Sequence, residues 1–94
     1  MLTYKAMYKF LEHGVHAEVL DFPGTITAGD TLQEARRLLA SALVDMAETA
    51  LLRGEPLPQP DPLCADPEAD VEEPIHLLLI AASHIRIVPQ TTVP

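Results

Sequence analysis

Four histidines (His13, His16, His76 and His84), one cysteine (Cys64) and the carboxylates Glu18, Asp21 and Asp30 near strand ends come nearest to a catalytic or metal-binding pattern in this chain. His13 and His16 fall together in a predicted hairpin, where a strand-end carboxylate could join them. None of the four histidines has the spacing of a recognised zinc site or hydrolytic triad, and hairpin histidines are chiefly surface residues. Ser41 and Ser83 lack the Gly-x-Ser-x-Gly elbow that activates a serine. Cys64 sits among carboxylates, which raise a thiol pKa and blunt its reactivity. Gly24 and Gly29 have no lysine with which to form a phosphate-cradling loop. The residues therefore predict no catalytic, cofactor-binding or metal-binding set, and the chain is not expected to be an enzyme.

What must position these side chains is a single domain of 94 residues, 1–94. Six Lys and Arg against 14 Asp and Glu give a net charge of -8. That balance repels nucleic acid phosphate, argues against direct DNA binding and favours a cationic partner. One cysteine excludes an intrachain disulfide framework and fits the cytoplasm. Met1 to Lys5 run directly into a strand pattern without a signal-peptide core, and no apolar run reaches the roughly 20 residues a membrane helix needs. A soluble cytoplasmic protein is expected.

From Leu2 to Leu11, Leu2, Tyr4, Ala6, Tyr8 and Phe10 alternate with Thr3, Lys5, Met7 and Lys9, the period of a half-buried strand. Glu12-His13-Gly14 is a loop, and Val15, Ala17 and Val19 alternate with His16 and Glu18 in a second strand. Asp21-Phe22-Pro23-Gly24 turns the chain, because Pro23 presets φ and Gly24 accepts a positive one. Thr25-Ile26-Thr27 suits a short third strand. Gly29 loosens the approach to a helix that Asp30 or Thr31 can cap, with Asp30 taken as the cap. Leu32, Ala35, Leu39, Ala42, Leu43, Met46, Ala47 and Ala50 form the apolar stripe of that helix, and Gly54 ends it. Leu38, Val44 and Leu52 extend apolar surface beyond the stripe.

Residues 55–74 are a proline-rich stretch with seven carboxylates and no basic residue, predicting a stiff, extended acidic loop. Ile75 to Ala82 is apolar on both alternating faces, as for a strand covered on both sides, although nothing else in the chain offers the second cover. Ile85 to Val88 continues this last strand (75–88) past a bend, and 89–94 is a polar tail. The expected fold is α+β, in the order β-β-β-α-β: a three-strand antiparallel meander and one long helix over 2–54, then a fourth strand. A right-handed crossover gives the strand order 3-2-1-4, with the fourth strand parallel to the first. Its free edge and bare face predict a homo-oligomer, dimer or tetramer. The acidic loop and last strand supply the expected partner-binding surface: Asp66, Glu68, Asp70, Glu72, Glu73, Leu78 and Ile80.

Two signatures, Asp21-Phe22-Pro23-Gly24-Thr25 with Gly29-Asp30-Thr31-Leu32-Gln33-Glu34-Ala35, and Leu51-Leu52-Arg53-Gly54-Glu55-Pro56-Leu57-Pro58-Gln59-Pro60, resemble the HicB-like antitoxins over roughly residues 2 to 60. The resemblance implies a degenerate ribonuclease-H-like fold without that activity, acting as a protein inhibitor of a small basic ribonuclease toxin of the HicA kind. Net acidity agrees with such a partner. Phe22 and Thr25 replace common family residues, the acidic loop is long, and too little chain follows Ala82 for the DNA-binding domain many members carry. The implied protein is a solo HicB domain. The alternative is a self-associating protein of the same fold with another binding role, or with a residual small-molecule, metal or nuclease site.

Overall fold

The computed structural model describes residues 1–81 and 84–88, without the side chains of Leu79, Ile80, Ala81, His84 and Arg86. The elements are β1 (Leu2–Leu11), β2 (Gly14–Val19), β3 (Ile26–Gly29), α1 (Leu32–Leu52), β4 (Val71–Ala81) and β5 (His84–Val88). The strands form one sheet in the order β3-β2-β1-β4-β5, antiparallel at every pairing. The class is α+β. The even-numbered residues of β1, Tyr4, Ala6 and Tyr8, meet Ala35, Leu39, Leu43 and Ala47 of α1 in one core, which Ile75, Leu77 and Ile85 extend.

The junction between β2 and α1 is built from local chemistry. Pro23 and Gly24, with φ 90° at the glycine, occupy the centre of a turn in which Thr25 N–H donates to the Phe22 carbonyl at 3.2 Å, the signature of a type II turn. Phe22 is thereby buried and packs edge-on against Tyr4, with ring centroids 5.3 Å apart. Gly29 is required for a different reason than expected. A Cβ there would lie 2.7 Å from the Ala35 nitrogen, so its role is close approach of strand and helix.

The cap is corrected by one residue. Thr31, not Asp30, accepts the Glu34 N–H on its hydroxyl at 3.1 Å, and its carbonyl accepts the first helical bond from Ala35, while Asp30 lies exposed one residue outside. Thr31-x-x-Glu34 is the spacing of a capping box. At the other end Gly54, with φ 71°, sits just past the capping residue Arg53. Glu55 N–H reaches the Ala50 carbonyl at 2.8 Å and Gly54 N–H the Leu51 carbonyl at 3.1 Å, a Schellman ending.

Three expectations about the last third of the chain are overturned. First, β4 begins at Val71, so Glu72, Glu73 and Pro74 belong to the strand. Pro74 pairs with Lys5 on the β1 side, and the described pairing with β5 begins only at His76, which places the proline beyond the reach of the β5 ladder. Second, residues 84–88 are a separate fifth strand folded back on β4, with a register shift between Leu79 and Ala81. Third, β4 is antiparallel to β1. The reason is the path of residues 53–70, called the strap below, which travels the length of β1 before the chain turns into β4. A crossover rule for parallel strands therefore does not apply.

The strap covers the second face of β1 but not that of residues 75–82, where Leu78 stays 36% exposed. Met7 points away from α1 yet is only 2% exposed, on the face where Lys5 and Lys9 meet strap residues. The expected ends of the last strand at Ala82 and Pro89, Ser83 and the tail 89–94 lie outside the described residues.

Candidate functional site

The strap contains two turns of the same construction. In Asp61-Pro62-Leu63-Cys64, the Asp61 side chain accepts the Leu63 N–H at 3.0 Å and its carbonyl accepts the Cys64 N–H at 3.1 Å. Five residues later, in Asp66-Pro67-Glu68-Ala69, Asp66 accepts the Glu68 N–H on its side chain at 2.9 Å and the Ala69 N–H on its carbonyl at 3.0 Å. Proline presets φ at the second position, and aspartate at the first bonds its own turn. The doubled Asp-Pro was a readable signal that periodicity arguments pass over.

Both turns are tied to the sheet. Asp21 is the principal clasp: one carboxylate oxygen accepts the Lys5 N–H and the other the Asp61 N–H, each at 2.9 Å. The Lys5 ammonium donates to the Cys64 carbonyl at 2.6 Å, and the Tyr4 hydroxyl donates to the Pro58 carbonyl at 2.7 Å. β2 ends at Val19 opposite Ala6, so the first residues of β1 have no β2 neighbour, and the strap changes face through that gap. Farther on, Lys9 pairs with Glu68 at 3.2 Å, Glu72 accepts the Asp66 N–H at 2.9 Å, and Asp70 closes the path by accepting the Phe10 N–H at 2.6 Å and donating its own to the Tyr8 carbonyl at 2.9 Å.

Of the residues expected to contact a partner, Asp66, Glu68, Asp70 and Glu72 are therefore brought together on the strap face, each already bonded within the chain. Glu73 lies on the opposite face. It receives Arg36 of α1 through two bonds, of 3.0 and 2.8 Å, with the guanidinium 5.8 Å from the Tyr8 ring centre. Burial, then the negative charge of Glu73, pushes the Tyr8 phenol well above its ordinary value. Leu78, at 36% exposure, stands farther along β4, away from the strap contacts, and the Ile80 side chain lies outside the described residues.

The histidines are scattered: His13 lies beside Glu12, His16 is 3.4 Å from Glu18, and His76 shares a 2.9 Å contact with the Thr3 hydroxyl. The His84 side chain is outside the described residues. Burial, then the Asp21 charge, raises the Cys64 thiol pKa, the direction expected from its acidic surroundings. Where the strap meets the sheet, Tyr4, Lys5, Asp21, Asp61, Pro62 and Glu72 help to line a cavity of ≈ 470 Å³. Its walls combine apolar surface with carboxylates. The residues missed from sequence were the anchors Lys5 and Lys9, and the turn residues Asp61 and Leu63.

No protein-family model matches the chain. No curated protein matches it either. Among solved structures, a chain of a structure described as "HicA3 and HicB3 toxin-antitoxin complex" shares 24% sequence identity with a TM-score of 0.56, over 70% of this chain and 73% of that one. The fold is similar to that of this toxin-antitoxin chain. The likeness bears on the fold, an antiparallel sheet with one helix. Among the described residues no helix is long and apolar enough to cross a membrane.

Proposed function

We propose that this chain is an antitoxin-type binding module that neutralises a small basic ribonuclease toxin of the HicA kind by direct contact rather than by catalysis. The observation that carries the reading is the shared fold with a chain of a HicA3 and HicB3 complex. The two sequence signatures at residues 21–35 and 51–60, and a net charge of -8, favour the HicB side of such a pair and a cationic partner. In this reading the sheet is a degenerate ribonuclease-H-like scaffold. Asp21, whose two oxygens hold Lys5 and Asp61, serves architecture.

The test is co-expression with a small basic protein encoded in a neighbouring reading frame, whose existence this reading requires. The expected result is relief of that protein's growth inhibition and co-purification of the two chains at low salt. Persistent toxicity together with recovery of this chain alone would overturn the reading. Pairing of copies through the outer strand β5 is a further part of the proposal, and sedimentation showing only monomer at micromolar concentrations would remove it.

A further inference from the structure

The two strap turns are built alike but end differently. Glu68, at the tip of the second, is spent on Lys9 of the chain's own sheet. Leu63, at the tip of the first, is 90% exposed and contributes almost nothing to the core, although its turn is held by as many bonds as the second. Asp61 closes that turn twice from within, Asp21 grips it at Asp61 N–H, and Lys5 grips it at the Cys64 carbonyl. A large apolar side chain displayed on a preorganised backbone has the form of an interface anchor, because little ordering remains to be done on binding.

What surrounds Leu63 defines its partner. Asp61, Asp66 and Glu72 lie in the same part of the strap and sheet, and each accepts a backbone N–H, with no ion pair to a cation among the described residues. The cavity beside the turn is lined in part by Asp21, Asp61, Pro62 and Glu72, and by Lys5, whose ammonium is already committed to the Cys64 carbonyl. Its mixed walls suit a lysine or arginine, whose aliphatic stem covers apolar surface while the charged head meets carboxylate. A second copy of this acidic chain would bring like charges together, and an anionic membrane surface would be repelled.

We propose that Leu63 is the anchor of a docking surface for a basic protein, inserting into an apolar pocket of the partner while a neighbouring basic side chain of that partner enters the cavity. This rests on the toxin-binding reading above, and the test separates the two. The full chain, its Leu63→Asp and Leu63→Ala variants, and a Leu52→Asp control are titrated calorimetrically with the adjacent-frame basic protein at low salt. Leu52 is 84% exposed at the far end of α1, off the strap. Unchanged circular dichroism and melting in all variants establishes that the fold is kept. The expected result is about thirtyfold weaker binding for Leu63→Asp and about tenfold for Leu63→Ala, with Leu52→Asp equal to the parent chain. Equal binding by all four chains overturns the Leu63 proposal and leaves the toxin-binding reading standing. Equal weakening by Leu52→Asp and Leu63→Asp also overturns it, since added charge alone would then explain the loss. No binding by the parent chain overturns both.

Discussion

The two faces of the sheet are held by different forces. On one, α1 buries Ala35, Leu39, Leu43 and Ala47 against Tyr4, Ala6 and Tyr8, with an ion pair, Arg36 with Glu73, at the rim. On the other, the strap is fastened by Lys5, Lys9, Asp21 and Asp70, and Met7 of β1 is buried on that face. Burial of apolar area is cooperative across the domain. Hydrogen bonds and surface charges hold the strap chiefly one contact at a time, so that face should exchange before the helix face does, while each turn stays closed by its own aspartate. The helix face makes the fold, and the strap face is free to serve recognition.

The largest effect should come from the helix face. Leu39→Ala or Leu43→Ala, each at a fully buried position, should cost about 3 kcal/mol by denaturant titration, since lost transfer energy and a residual cavity add. A shift smaller than about 1 kcal/mol would show that the helix does not dominate stability.

Next comes the clasp. Asp21→Ala strands the Lys5 and Asp61 N–H groups and should cost about 2 kcal/mol. Hydrogen exchange should accelerate at those two amides while the α1 amides keep their order of protection. Uniform acceleration across both faces would erase the distinction between them.

The pH dependence separates the faces more gently. Tyr8 is held protonated in the fold by burial and by Glu73, so its folded pKa exceeds the unfolded value of about 10. Its contribution to stability is complete below about pH 10 and is lost as pH rises from there toward the folded value. Tyr8→Phe should flatten the alkaline limb of a stability-pH profile, and an unchanged limb would assign the loss to other groups.

The smallest effect concerns Thr25, fully buried with no partner for its hydroxyl among the described residues. Thr25→Val keeps the shape and removes an unsatisfied polar group, so the melting temperature should rise, by an amount equivalent to up to about 1 kcal/mol. A fall would mean that the hydroxyl has a use in the fold.

The contrast between faces also explains what could be read in advance. The β1 alternation, the Pro23-Gly24 turn, the α1 stripe and Gly54 are determined by neighbours in sequence, and all appear where periodicity and turn chemistry place them. Thr31 displaced Asp30 as cap because both residue types cap helices and only the start of the backbone ladder decides between them. The direction of β4 depends on Lys5, Asp21 and Lys9 reaching residues 40 to 59 positions away, contacts that leave no periodic trace. The acidic loop was legible as acidic but not as a strap, because composition records charge and not what each carboxylate grips. Within it the repeated Asp-Pro pair was the one local sign of order.

The claim most exposed to refutation is that this chain restrains a toxin by binding it. The direct measurement is RNA cleavage by the purified adjacent-frame protein while this chain is titrated in at low salt. Cleavage should fall to background as the two proteins approach a fixed stoichiometric ratio, and should return when salt weakens the complex. Undiminished cleavage in excess of this chain would contradict the account.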